Sequence, residues 1–234
     1  MNTGSPAGSE SERIAAEAVG KNYDRAMMLE ARRLTREAIR EIASQVRPGT
    51  LEEDALQLTK RVLRGKGLGR GWHGVHVRFG TNTLKNFGEP SDPGVVLGED
   101  DIWFIDIGPV WKDWEADAGD TFVVGHDPEM QRIARDVHVV FDEVQRAWRE
   151  ERLTGAALYH KAVAEAQLRG WLLNLDMNGH RLADFPHAAL YKGPLAEAAF
   201  TPSAGLWMLE IQIRHPELPY SAFFEDLLLS PGDA

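Results

Sequence analysis

The chain has 234 residues, 43% hydrophobic and 26% charged, with a formal net charge of −10 and no cysteine. This length and composition suit one large globular domain with its own core. The lack of cysteine excludes disulfides, thiolate metal sites and a cysteine nucleophile, and the acidic balance argues against a nucleic-acid surface, which needs a basic face. No apolar run reaches the roughly 20 residues that span a bilayer, and no signal-peptide core opens the chain, so the expectation is a cytoplasmic protein without a membrane partner.

In chain order, residues 1–22 are rich in Ser, Gly, Ala and Glu and read as a flexible tail, ending in a short helix from Ser11 to Val19. Met27, Ala31, Leu34, Ala38, Ile42 and Val46 recur every three or four residues and predict a helix, stopped at Arg47-Pro48-Gly49. Thr50 and Glu53 form a capping-box signature for a second helix with the stripe Leu51, Ala55, Leu58 and Val62, closed by Gly65, Gly67 and Gly69. A strand is expected at Val75 to Phe79, a polar loop at Thr81-Asn82-Thr83, and further strands at Ile102 to Ile107 and Asp117 to Val124. Asp127-Pro128 opens a third long helix with the stripe Ile133, Val137, Phe141, Val144 and Trp148, and Thr154 caps a fourth that ends at Gly170. Trp207 to Ile213 alternates as a strand should, and Phe223 to Leu229 is an apolar run after which only a short tail, 231–234, is left. Helices then strands, twice over, predict an α+β fold of two similar halves in a single domain over 23–230, with helices on one face of an antiparallel sheet.

The other face needs a purpose, and the acids that interrupt apolar strands suggest one. Asp106 lies in Trp103-Phe104-Ile105-Asp106-Ile107, Glu210 in Leu209-Glu210-Ile211, and Glu225 follows Ala222-Phe223-Phe224. Strand alternation places Glu210 with Met208 and Gln212, opposite Leu209 and Ile211. An ionised carboxylate in such surroundings is costly unless paired or bound to a metal. Any one of these acids alone is more simply a salt-bridged or solvated group; three such interruptions together point to a metal site.

The segment Phe104-Ile105-Asp106-Ile107-Gly108 followed by Asp117-Ala118-Gly119-Asp120-Thr121-Phe122 resembles the paired-aspartate signature of methionine aminopeptidases, prolidases and aminopeptidase P. Its aspartates stand eleven residues apart, with a Phe five after the second. Gly179-His180 with His187 seven residues later matches the family's histidine segment, while Glu210 and Glu225 match its two glutamates. The resemblance spans about residues 26–229 and implies the pita-bread (creatinase/aminopeptidase) fold, with a dinuclear site between the halves. It implies that Asp106 chelates one cation, that Asp117 and Glu225 bridge two, and that His180 and Glu210 complete the shells. Four carboxylates and one imidazole suit a pair of Mn, Fe, Co or Zn ions. The implied chemistry is amide hydrolysis near a free N-terminus by a metal-bridging hydroxide, with Glu210 as proton shuttle and His187 stabilising the oxyanion.

The chain departs from the pattern in three places. Gly80-Thr81-Asn82 is followed seven residues on by Phe87, where the family carries a histidine; His73 or His76 is the candidate replacement, or else both are surface histidines. Arg181 follows the histidine ligand, where a glycine-rich turn is expected, and could bind a substrate carboxylate or pair with Asp184. Asp120 stands where prolidase-like members often carry arginine; it is also a possible ligand mimic, but the spacing to Phe122 favours Asp117. Phe87 and Arg181 open a second reading, a specialised metabolic enzyme acting on a non-peptide small molecule. A peptide-binding pseudo-enzyme is disfavoured because all five ligands are kept. The expected partner is a peptide or small amide substrate, with a homodimer as one oligomeric option.

Overall fold

A computed structural model describes residues 10–233. The long helices form where apolar residues recur at helical spacing, and polar caps start three of them. Helix α2 (Arg25–Ala43) buries Met28, Ala31, Thr35, Ala38, Ile39 and Ile42, and the Asp24 carboxylate accepts the Ala26 N–H at 2.8 Å. Helix α3 (Glu52–Gly65) starts without a side-chain cap. The expected capping box does not form, because the Thr50 hydroxyl accepts the Arg47 N–H and Glu53 accepts the Gly94 N–H instead. Helix α4 (Pro128–Glu151) is capped by Asp127 and α5 (Gly155–Leu168) by Thr154, as the sequence predicts.

Residues 10–22, expected to belong to a flexible tail, make specific contacts. Helix α1 (Glu10–Ala16) buries Ala16, and the Glu17 carboxylate accepts from Ser203 N and Oγ and from the Trp207 indole N–H. The rest of that expected tail, residues 1–9, lies outside the described residues, as does Ala234 at the other end. In the expected C-terminal tail, Asp233 pairs with Arg25 and accepts the Ser230 N–H.

The strands are β1 (His76–Phe79), β2 (Asp101–Ile107), β3 (Val110–Trp111), β4 (Trp114–Glu115), β5 (Ala118–Val124), β6 (Leu172–Leu173), β7 (His180–Arg181), β8 (Trp207–Arg214) and β9 (Ser221–Leu227). Seven of them form one antiparallel sheet in the order β1-β2-β5-β9-β8-β6, with β7 also on β8, while β3 and β4 form a separate hairpin. Two apolar cores divide the helix-covered side of this sheet. One joins α2 and α3 to Val77, Phe79, Trp103, Ile105 and Ile107, and the other joins α4 and α5 to Leu209, Ile211, Ile213, Ala222 and Phe224. These are the two expected halves, and they meet where β5 faces β9.

That seam is narrow. Gly119 and Glu225 are its register pair, and beside them the Thr121 hydroxyl takes over part of the ladder. It donates to the Phe223 carbonyl at 2.8 Å and accepts the Phe223 N–H at 2.7 Å. A side chain could not replace Gly119, since a Cβ there would stand 2.3 Å from the Phe223 ring and 3.0 Å from Glu225 Oε1. Among the described residues no helix is long and apolar enough to cross a membrane.

Candidate metal centre

The sheet register lines up the acids. His76 pairs with Asp106, Asp106 with Gly119, Gly119 with Glu225, and Glu225 with Glu210, one residue from each of five neighbouring strands. Directly opposed residues share a face, so four of these side chains stand in a row on the side away from the helices, at the sheet's inter-strand spacing of about 4.8 Å. Gly119 leaves a gap in the middle of that row. Asp117, just before β5, turns into the same region, and β7 brings His180 over the top from its pairing opposite Met208.

Local backbone conditions make the His180 placement possible. Gly179 sits at φ +68°, and a Cβ there would come within 2.5 Å of the Met208 carbonyl and 2.8 Å of the Tyr159 hydroxyl. Its N–H donates to Glu210 Oε2 at 2.8 Å, fixing one oxygen of that carboxylate. His180 Nδ1 lies 2.9 Å from the Arg181 carbonyl, and its Nε2 lies 3.0 Å from Asp117 Oδ2 and 3.7 Å from Glu210 Oε1. His73 is arranged in the same way: Nδ1 is 2.6 Å from the Gly74 carbonyl, and Nε2 is 3.2 Å from Asp117 Oδ1 and 3.5 Å from Asp106 Oδ1.

Electrostatics bind the group together. Asp106, Asp117 and Glu225 are buried, and burial raises the pKa of a carboxyl. It pushes Glu225 well above the usual carboxylate range, helped by the charges of Asp117 and Asp106. Asp106 also rises through burial and its acidic neighbours, although the charge of His73 opposes this. Burial resists ionisation of Asp117 too, but the charge of His73 and hydrogen bonds from His180 and His73 hold it below the usual range. Burial likewise opposes protonation of the two histidines, yet the acids overcome it and raise His73 to about 10 and His180 to about 9. His76 moves the other way, to about 4, through burial and the charges of Arg78 and His73.

These residues fit divalent cations. Glu225 Oε1 is buried without a hydrogen-bond partner, an expensive state for a carboxylate unless something else pairs with it. Asp117, His180 and Glu225 each offer a ligand atom within 4.8 Å of one another, and so do His73, His76 and Asp106. The resulting donors are oxygen and imidazole nitrogen, the chemistry of Mn, Fe, Co and Zn sites. All five expected ligands, Asp106, Asp117, His180, Glu210 and Glu225, are thus brought together. Asp120 lies on the opposite face, 3.0 Å from His138 and 3.8 Å from Arg36.

The expected substrate contacts divide. His73 and Phe87 line a cleft of about 240 Å³ together with Trp72, Asp106, Asp117, Asp176, Met177, Asn178, Gly179, His180 and Glu210. Phe87 also touches the His73 and His76 rings, at centroid distances of 5.5 and 4.7 Å. Arg181 does not face the cleft. Alternation along β7 sends it to the other side, where it is buried, donates to the Ala18 carbonyl at 2.8 Å, and stands over the Trp207 ring. Asp184, whose carboxylate accepts the Gly20 N–H at 2.8 Å, acts on Arg181 only as a nearby charge.

His187, expected to face substrate, is buried and is not among the residues lining the cleft. Its Nδ1 lies 2.6 Å from Glu115 Oε2, and its backbone N–H donates to Glu115 Oε1 at 2.9 Å. Trp72 makes edge contacts with His73, His180 and His187. Sequence reasoning missed both Glu115 and Trp72. The adjacency of Trp72 to His73 was a usable signal, whereas Glu115 is 72 residues from the histidine it holds.

A sequence model of metallopeptidase family M24 matches residues 26–232. Among curated proteins no sequence matches the chain. Solved structures do. An X-Pro aminopeptidase from Thermotoga maritima superimposes with a TM-score of 0.70 at 16% identity, covering 97% of this chain and 63% of its own. A prolidase from Pyrococcus furiosus gives 0.72 at 14% identity, covering 93% and 63%. The chain thus spans about three fifths of the length of these two. A methionine aminopeptidase from Thermotoga maritima gives 0.67 at 16% identity, covering 90% of this chain and 98% of its own. The fold they share is the α+β pita-bread fold expected from the sequence.

Proposed function

We propose, from the premise that this chain belongs to metallopeptidase family M24, that it is a hydrolase using two divalent cations to cleave an amide near a free N-terminus. The observation that carries this reading is the row of acids across the seam, Asp106 and Glu225 buried, with Glu225 Oε1 left without a protein partner. Asp106, Asp117, His180, Glu210 and Glu225 would hold the cations, with Asp117 and Glu225 at the seam between the halves. Bound there, divalent cations supply Lewis acidity, polarising an amide carbonyl and making a water acidic enough to attack near neutral pH.

The protein's own groups do the rest. Glu210 is partly exposed to the cleft with one oxygen fixed by the Gly179 N–H, so its carboxylate is placed to take a proton from the attacking water and deliver it to the leaving amine. Trp72 and Phe87 narrow the cleft and keep bulk water from the acids. His187, held by Glu115, supports the His180 side of the site through ring contact at 5.9 Å. The Asp176 carboxylate lines the same cleft and suits a substrate ammonium group.

A second reading rests on the cleft's size. At about 240 Å³ it falls below the usual range of roughly 300–1,000 Å³ for ligand pockets, which favours a small amide or non-peptide metabolite over an extended peptide. Chelator-treated protein reloaded with Mn, Fe, Co or Zn and offered peptides with N-terminal Met, Xaa-Pro or blocked ends separates these. Metal-dependent release of an N-terminal residue, lost in Asp106→Ala, supports the aminopeptidase reading. Bound metal with uniform inactivity toward peptides supports the second, and a protein that takes up no metal overturns both.

A further inference from the structure

Two imidazoles near the acids, His73 and His76, have no part in the five-ligand set, yet each offers a ring nitrogen within 4.8 Å of the other and of an Asp106 oxygen. His73 and His180 approach Asp117 from opposite sides, His73 at Oδ1 and His180 at Oδ2. Each has its Nδ1 against the carbonyl of the next residue in the chain, at 2.6 and 2.9 Å. A ring N–H given to a backbone carbonyl leaves Nε2 as the coordinating atom and fixes the ring's orientation, the usual support of a metal-bound histidine. Aimed at two carboxylate oxygens, that Nε2 needs a proton or a cation between them.

The backbone makes room for the arrangement. A Cβ on Gly108 would fall 2.1 Å from His73 Nε2 and 2.6 Å from the Trp72 indole nitrogen, so the bare backbone at the end of β2 admits both rings. His76 heads the row of acids, directly opposite Asp106 in the β1–β2 register, and its ring lies nearly parallel to that of His73 with centroids 6.3 Å apart. Phe87 covers both rings from the cleft side.

We propose that His73 and His76 are ligands of the cation held by Asp106, giving the site two imidazoles beyond His180 and a preference for Zn2+, Co2+ or Fe2+ over Mn2+. Imidazole suits these ions, whereas a set built almost wholly of carboxylates suits Mn2+. This inference rests on the metal-site reading above. Phe87 then acts as an apolar wall that holds the two rings in place and excludes water from them.

The test uses full-length, chelator-treated protein titrated with Co2+ and Mn2+ by calorimetry, with the Co2+ absorption spectrum recorded in parallel. His76→Ala and His73→Ala are each expected to weaken the binding of one Co2+ equivalent by about tenfold or more and to shift its spectrum, with Mn2+ affinity changing less. In His76→Gly, added imidazole is expected to restore the Co2+ spectrum, a result that misfolding does not mimic. Co2+ affinity, stoichiometry and spectrum equal to wild type in the His73→Ala/His76→Ala double variant, while His180→Ala loses Co2+, overturn the inference and leave the five-ligand site standing. A wild-type protein that binds neither ion overturns the five-ligand site itself.

Discussion

The two faces of the central sheet are made by alternate residues of the same strands, yet they are held by opposite physics. On the helix-covered face Trp103, Ile105, Leu209 and Ile211 are fully or almost fully buried in apolar cores. One position along, the same strands present Asp106 and Glu210 to the cleft, joined by Glu225 from β9. Apolar burial stabilises the first face at about 25 cal/mol per Å². The second face costs stability in the metal-free protein, because buried carboxylates lose hydration without full repayment from neighbours. Among these positions residue parity separates what folds the protein from what it is proposed to do, while Phe104, Met208 and Phe223 add buried apolar packing beside the acids, and substitutions at the two sets of positions should fail in different ways.

The largest effect belongs to Asp117→Ala. Its carboxylate serves both His73 and His180, so we expect loss of bound metal and a fall in any metal-dependent activity of more than about 100-fold, with a melting temperature close to that of metal-free wild type. Metal analysis and calorimetric scanning check both; a variant that unfolds outright breaks the separation between the faces. On the helix side, Ile211→Ala should cost about 2–5 kcal/mol while the folded fraction keeps its metal stoichiometry, read by denaturant titration and metal analysis. Loss of metal in folded Ile211→Ala protein contradicts the division.

The acid face also predicts a pH response. In metal-free protein His180 is raised to about 9 and His73 to about 10, from an ordinary value of 6.5. A raised folded-state pKa gives stability that is complete below about 6.5 and lost as pH climbs through 9 to 10. Ionisation of Glu225, held high by burial, adds to the loss in the same direction. Metal-free protein should accordingly melt at lower temperature as pH rises over this window. Metal affinity should increase over the same window, because the cation no longer competes with ligand protons. Thermal melts from pH 6 to 10 with and without cation test this; a metal-free melting temperature that rises with pH contradicts it. The smallest effect is expected at Arg181→Met. The guanidinium is buried, with Nε and Nη1 unpartnered, so stability should change by no more than about 1 kcal/mol, with substrate KM unchanged. A large rise in KM would return Arg181 to the substrate site.

Much of this was readable from residues alone. Helical spacing marks α2, α3 and α4, the Thr154 cap and Gly170 mark α5, and acids inside apolar strands mark Asp106, Glu210 and Glu225, because periodicity, caps and buried charge are local signals. The register that aligns Asp106, Gly119, Glu225 and Glu210 was not readable, since it depends on which strands become neighbours. The side that Arg181 faces is hidden for a related reason: β7 is two residues long, too short for alternation to show in the sequence. The polar composition of the N-terminal segment reads as flexible, but its anchors are distant, Glu17 reaching Ser203 and Trp207 across more than 180 residues. The spacing of His187 from His180 points to a substrate role, while the partner that fixes it, Glu115, lies on a hairpin no local pattern connects to it.

The acids meeting at the seam are proposed to hold cations. Anomalous scattering from crystals loaded with Co2+ or Zn2+ tests this most directly. Two peaks about 3.5–4 Å apart are expected, flanked by Asp117 and Glu225, with Asp106 beside one and His180 and Glu210 beside the other. Crystals grown near pH 8 in excess cation that show no peak between β5 and β9 would contradict the proposal.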